Sequence, residues 1–234
     1  MRAAIAFCIA ALFVAASGKI CWAAGTFEIA PTTLNLSPGE SGLLYISNNG
    51  PEPVTMQIQP MDWTQDANAD VLSPSDELFA SPPLLRIPPG QRQIVRVLAA
   101  PRGAASEKDY RLLVSELPNA GRSAASVNVL LQFNIPVFVR TRQEKPQAAW
   151  SAITRNGQIQ LVLQNNGPAA VKLSGIVVSR SKGVSSSLPG GLVYVLPGAR
   201  HDWSLIDDGA PSLQIAARDA RSGLSLDADI AVQR

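Results

Sequence analysis

The sequence is poor in the residues that carry chemistry. Its 234 residues include one histidine, His201, and two cysteines, Cys8 and Cys21. Charged residues make up 16% of the chain, well below the usual quarter. There is no Gly-x-Ser-x-Gly elbow and no His-Glu-x-x-His pair, so His201, beside Asp202, has no nucleophile or metal partner in a recognisable context. It reads as a structural histidine, and no catalytic residue or cofactor is expected. Helical periodicity is missing as well. The best helical candidate, Pro74–Phe79, is short and runs into Pro82-Pro83.

The first residues follow the plan of a secretory signal: Arg2, an apolar run from Ala3 to Ala16, then small residues around Ala23. That run is short for a membrane span. Cys21-Trp22-Ala23 places cleavage after Ala23, with Gly25 as an alternative. Both cysteines leave with such a signal, which excludes disulfides and thiolate sites from the mature chain. Arg2 and Lys19 leave too, so 18 basic residues then face 18 acidic ones. A nucleic-acid footprint is excluded on that balance, and no stable membrane insertion is expected after cleavage.

What the sequence has in quantity is turn chemistry, with 17 glycines and 18 prolines. From Phe27 onward, short alternating segments such as Leu44-x-Ile46 and Val54-x-Met56-x-Ile58 are bounded by Gly, Pro and Asn. This spacing predicts an all-β chain of antiparallel sandwich type. One phrase occurs twice: Asn-Asn-Gly-Pro followed by Val spans Asn48–Val54 and, 117 positions later, Asn165–Val171. A Pro-Gly turn follows each copy, at Pro89-Gly90 and at Pro197-Gly198, 108 positions apart. Two turns repeated in the same order predict two sandwich domains, residues 24–142 and 150–234, joined by a linker over residues 143–149 and preceded by the signal, residues 1–23.

Two stretches are candidates for sites. In "DANADVLSPSDE", Asp66, Asn68, Asp70 and Glu77 fall at calcium-loop positions one, three, five and twelve. Position six is Val71 where the sharp turn needs glycine, and flanking helices are missing. The stretch therefore reads as a polar turn between strands, and no metal site is expected. In "SVNVLLQFNIPVFVR", Val127, Val129, Leu131, Phe133 and Ile135 share one face of a strand. Such a strand is either the last core strand of the first domain or an edge that pairs with a partner chain.

"PPLLRIPPGQRQIVRVL", "EKDYRLLVSELP" and "VLLQFNIPVFVR", in this order after a secretory signal, resemble the periplasmic chaperones of the chaperone–usher (pilus assembly) pathway. The resemblance covers about residues 26–234 and thins in the second domain. The short stretch between Pro118 and Val127 resembles the compact-loop members, and the Tyr-Arg-Leu and Pro-Val-Phe-Val wording resembles the archaic branch most. The resemblance implies two immunoglobulin-like sandwiches set at an angle, in the periplasm. The implied activity is non-enzymatic: stabilising pilin or fimbrial subunits by donor-strand complementation and delivering them to an outer-membrane usher. A secreted immunoglobulin-like structural or adhesion module is the alternative.

By this resemblance the subunit-binding strand presents Val127, Val129, Leu131 and Phe133. The family's buried charge network, which fixes the angle between domains, falls on Glu107, Arg140 and Asp219. The family's anchor for the subunit's C-terminal carboxylate falls on Thr32 or Thr33 and near Asn134 or Pro136, where no basic residue stands. Carboxylates leaving water need donors, preferably cationic ones. The candidates are therefore the hydroxyls of Thr32 and Thr33 with Arg86 or Arg111.

Overall fold

The computed structural model of the chain describes residues 27–101, 107–118, 129–141, 145–180, 185–189 and 191–234. Every regular element among them is a strand. The first ten are β1 (Phe27–Ala30), β2 (Leu34–Leu36), β3 (Ser41–Asn48), β4 (Val54–Asp66) and β5 (Ala69–Pro74), then β6 (Leu78–Ser81), β7 (Leu84–Ile87), β8 (Arg92–Ala99), β9 (Lys108–Leu117) and β10 (Gln132–Val139). They form two facing sheets, one ordered β1-β3-β8-β6 and the other β2-β10-β9-β4-β5, with β7 also on β4. Alternation decides which face is core. Leu44 and Ile46 of β3, Val95 and Val97 of β8, Leu112 and Val114 of β9, and Val137 of β10 point between the sheets and are buried.

The remaining strands are β11 (Ala148–Arg155), β12 (Gln158–Asn165), β13 (Val171–Ser174), β14 (Val177–Arg180) and β15 (Ser185–Ser187), then β16 (Leu192–Val195), β17 (Arg200–Ile206), β18 (Ser212–Ala216) and β19 (Ala228–Gln233). Their sheets run β15-β14-β18-β19-β11-β12-β17 and β13-β16. They enclose a separate core that includes Ile159, Leu161, Leu173 and Val178. Among the described residues no strand pairing joins the two groups. β11 opens at Ala148, two residues inside the stretch read as linker. Pro74–Phe79, the short helical candidate, is extended or turned instead. Six residues cannot offset the cost of a helical nucleus, and the Ser75 hydroxyl takes the amides of Glu77 and Leu78 in a local turn.

The repeated phrase folds the same way twice. Asn48 and Asn165 are both fully buried. Asn48 Nδ2 donates to the carbonyls of Glu52 (2.7 Å) and Ile87 (3.0 Å), while Oδ1 accepts the Gly50 amide at 2.9 Å. Asn165 Nδ2 donates to Ala169 (2.9 Å) and Val195 (2.9 Å), and Oδ1 accepts the Gly167 amide at 3.0 Å. The backbones repeat too. The Gly90 amide donates to the Asn48 carbonyl and the Gly198 amide to the Asn165 carbonyl, at 2.8 and 2.9 Å. Gly90 and Gly198 both hold a positive φ, 67° and 75°, which a side chain would resist. Each asparagine thus ties the end of one strand to the Pro-Gly turn of another, satisfying backbone groups that neither sheet reaches.

Candidate functional site

β10 is a strand with two different halves. Val137–Val139 has neighbours on both edges, β9 on one side and the parallel β2 on the other. Gln132–Pro136 is bonded only to β9, so its other edge carries no partner strand among the described residues. Across from it lies β1, the end strand of the facing sheet, bonded only to β3. Among the described residues the sandwich is therefore open between β1 and the first half of β10.

Burial along the odd-numbered positions falls steadily from this strand back into the segment that leads into it. Val137 is fully buried and Ile135 is 6% exposed; Phe133 is half-buried, Leu131 is 37% exposed and Val129 is 74% exposed. Leu131 still extends the ladder, its carbonyl accepting the Glu116 amide at 2.8 Å. Val129 and Leu131 line a cleft of about 390 Å³ with Phe27, Val54 and the Asn48–Glu52 turn. Val127 lies outside the described residues.

The second feature is the seam between the sandwiches. Trp63 of β4 and Phe138 of β10 point outward from their sheet, yet both are buried, against Ala170 and Leu196 of the second domain. Trp63, Phe138 and Tyr194 form an aromatic triangle with centroids 5.3 to 6.2 Å apart. Arg111 lies 3.5 Å over the Trp63 ring and Arg221 lies 3.8 Å over Phe138, so each outer ring face meets a guanidinium. Amide side chains add strand-like links. Gln65 donates to the Tyr194 carbonyl and accepts the Leu196 amide. Asn68 does the same for both backbone groups of Asp202, at 2.9 and 2.7 Å. The stretch weighed as a calcium loop is therefore a β4–β5 hairpin whose tip ties the domains together.

Glu107 and Arg140, both of the first sandwich, meet beside this seam, Arg140 Nη1 lying 3.7 Å from Glu107 Oε2. Arg221, which the sequence reading passed over, grips Glu107 more closely. Its Nη1 and Nη2 donate to Oε1 and Oε2, each at 2.8 Å. Asp219 is 1% exposed, but its carboxylate serves its own domain: it accepts the amides of Lys172, Arg221 and Ser222 and the Ser222 hydroxyl. Asp109 lies beside Glu107. Burial, then the Glu107 charge and hydrogen bond, push its carboxyl well above the usual carboxylate range, with Arg221 and Arg111 opposing. No signal in the sequence marked Arg221, since neither arginine of "RDARSG" belongs to a motif.

The carboxylate-anchor candidates do not come together. Thr32 and Thr33 sit on the bend where the chain leaves the β1 sheet for the β2 sheet, Thr32 exposed and Thr33 half-buried. Arg86 is exposed on β7, with β9 and β4 between it and β10, roughly 14 Å away at normal strand spacing. Arg111 adjoins Pro136 in register. Its charge, however, is directed to Trp63 and to Asp70 (3.4 Å), on the side of β9 away from the threonines. Arg86 and Arg111 therefore do not complete a site with Thr32 and Thr33. His201 stacks 4.5 Å from Trp203; burial lowers its pKa, with Asp202 and Asp70 opposing. Among the described residues no group of three or more His, Cys, Asp or Glu side chains is placed to hold a metal ion.

Residues 26–144 match the family described as "Pili and flagellar-assembly chaperone, PapD N-terminal domain". A search of curated proteins by sequence finds no match. Among solved structures, the chain is similar to one of the CsuC–CsuE chaperone–tip adhesion subunit pre-assembly complex from archaic chaperone–usher Csu pili of Acinetobacter baumannii. That likeness has 22% identity and a TM-score of 0.69 over 89% of this chain and 100% of that one. It is also similar to the E. coli chaperone DraB, with 16% identity, a TM-score of 0.61, and 87% and 96% of the two chains covered. A structure of the Salmonella enterica SafA pilin with the SafB chaperone gives 17% identity and a TM-score of 0.60 over 88% and 95%. These likenesses establish the fold, two β-sandwiches of the PapD type.

Proposed function

The chain belongs to the pili and flagellar-assembly chaperones of the PapD family, and from that premise we propose that it lends the first half of β10 to a pilin-type subunit in the periplasm. The observation that carries this reading is the gradient along β10 and the segment leading into it: an edge with no partner strand among the described residues, whose apolar face passes from buried at Ile135 to open at Val129. A partner strand added at that edge gains main-chain hydrogen bonds, while Val129, Leu131 and Phe133 fill pockets in the partner. Val127 would extend the same face. Three such side chains contribute about 5–9 kcal/mol gross, before ordering and association costs. The subunit then passes to an outer-membrane usher. The hydroxyls of Thr32 and Thr33, at the end of β1 beside the same opening, are the proposed donors to the subunit's terminal carboxylate. No part of this role calls for a reaction step, and the proposed activity is binding alone. A self-contained structural module would cover the whole β10 face with its own second sheet, which the exposure of Val129 and Leu131 disfavours.

Val129→Ser combined with Leu131→Ser tests the reading. The pair is expected to abolish recovery of the cognate pilin in co-expression pull-downs, because a buried hydroxyl in the subunit's groove lacks a partner. The free protein's melting temperature should change by no more than a few degrees, since these side chains are not packed there. Normal pilin recovery by the double variant, or outright unfolding of the free protein, defeats the assignment.

A further inference from the structure

Glu107 is the most tightly held charge of the seam: its side chain is 1% exposed. Its amide donates to the Pro168 carbonyl at 2.8 Å, and Oε1 accepts the Ala170 amide at 2.9 Å. Both contacts are to the second domain's Asn-Asn-Gly-Pro turn. Arg221 closes the arrangement with two parallel bonds of 2.8 Å, the bidentate geometry that fixes direction as well as distance. From the same guanidinium, Nη1 donates to the Ala170 carbonyl (3.1 Å) and Nη2 to Asn35 Oδ1 (3.4 Å), while its Cζ lies 3.8 Å from the centre of the Phe138 ring. One side chain of the second domain thereby touches β2, β10 and the segment leading into β9. Its side chain is 11% exposed, against 29% for Arg140, whose approach to Glu107 is a single longer contact.

Asp219 supplies the support for this side chain. It accepts the amides of Arg221 and Ser222, and its carbonyl takes the Gly223 amide at 2.8 Å, closing the turn that projects Arg221. The Ala220 amide pins that turn to the Lys172 carbonyl at 2.7 Å. A long side chain on a braced turn, bound bidentately and set over an aromatic ring, has little freedom to pivot. A single contact of 3.7 Å by a partly solvated arginine imposes far less.

We propose that Arg221 is the residue that positions the second sandwich on the first, by gripping Glu107 across the seam, and that Arg140 only borders this contact. Asp219 acts through Arg221 rather than as a direct partner across the interface. That the domain angle governs how a subunit seats rests on the chaperone role proposed above; the positioning itself does not, and it is read in the free protein.

The chain without its first 23 residues, carrying Gln91→Cys in the first sandwich and Ser204→Cys in the second, takes one nitroxide label on each domain. Pulsed dipolar spectroscopy then reads the distribution of interdomain distances. Arg221→Ala is expected to broaden that distribution at least twofold, and Arg140→Ala to leave it close to the parent's. Arg221→Lys keeps the charge but cannot make two parallel bonds, so it should fall between. A parent-like distribution in Arg221→Ala, or equal broadening by Arg140→Ala, overturns the proposal. If Arg221→Ala also loses the amide spectrum of the second sandwich, Arg221→Lys decides: broadening with the spectrum intact supports positioning, and a parent-like distribution overturns it. Pilin pull-down with the same variants separates the two ideas, since normal capture by a broadened Arg221→Ala would detach the angle from subunit binding while leaving the positioning role standing.

Discussion

The two Asn-Asn-Gly-Pro turns are the same object in different company. Each buries an asparagine that makes the same three side-chain hydrogen bonds. The second-domain copy is covered. Asn166 donates to the Gln147 carbonyl at 2.7 Å, Pro168 and Ala170 receive Glu107, and a Cβ on Gly167 would stand 2.3 Å from the Gln147 amide nitrogen. The first-domain copy instead lines the open cleft with Val129 and Leu131. A local motif therefore reproduces its local structure wherever it occurs, while its role depends on what the rest of the chain lays over it. One copy receives the other domain, and the other borders the exposed side chains of Val129 and Leu131.

The comparison can be broken most sharply at the asparagines. Asn48→Ala and Asn165→Ala should each cost about 3 kcal/mol, because two carbonyls and one amide are left without partners in the interior. Urea unfolding of the whole chain measures both. A neutral result at either position would mean that the shared geometry carries no shared energy. Removing Asn165 should also broaden the interdomain distance distribution, whereas removing Asn48 should not.

A smaller effect separates the covered turn from the open ones. Gly167→Ala should cost about 2 kcal/mol, since the added methyl meets the Gln147 backbone and the linker must move. Gly90→Ala and Gly198→Ala meet nothing within 4 Å and pay only for their positive φ, about 1 kcal/mol and nearly equal in the two domains. Thermal unfolding of the three variants ranks them. A harmless Gly167→Ala would show that the linker is free to yield at this turn.

The smallest effect depends on pH and tests the cover itself. Burial, then Glu107 beside it, push the Asp109 carboxyl well above the usual carboxylate range, with the facing cations Arg221 and Arg111 opposing. The folded chain binds this carboxyl's proton more tightly than the unfolded chain does. Its contribution is therefore most favourable below about pH 4, the unfolded value, and declines as pH rises through and beyond it. Asp109→Asn keeps a donor toward Glu107 without that dependence. It should match the parent's stability near pH 4 and exceed it at pH 8. A pH-independent difference between the two would show that Asp109 titrates normally in the seam.

Alternation and turn chemistry made the strands legible in advance, and the doubled phrase made the two sandwiches legible. Leu44-x-Ile46 and Val54-x-Met56-x-Ile58 announce strands from a few neighbouring residues. Other features were hidden. Asn68 looked like a loop residue because its partner, Asp202, stands 134 positions away. Phe138 and Trp63 fall on the solvent side of their own sheet, and only the second domain buries them. Arg221 carried no motif, and Glu107 lies 114 positions before it. Arg86 and Arg111 were plausible anchors as charges near a strand, until register put one at the far edge and turned the other toward Trp63.

By itself, then, the sequence determined where strands run, where they turn, and that the same asparagine latch closes both sandwiches. These outcomes rest on backbone preferences and hydrogen bonds between nearby segments, which are written into short stretches of chain. Only the tertiary structure decided which latch would be covered, which half of β10 would lack a neighbour, and which arginine would meet Glu107. Those choices depend on how two finished domains meet. Contacts made across more than a hundred residues are set by shape and charge that exist only once both sandwiches have formed.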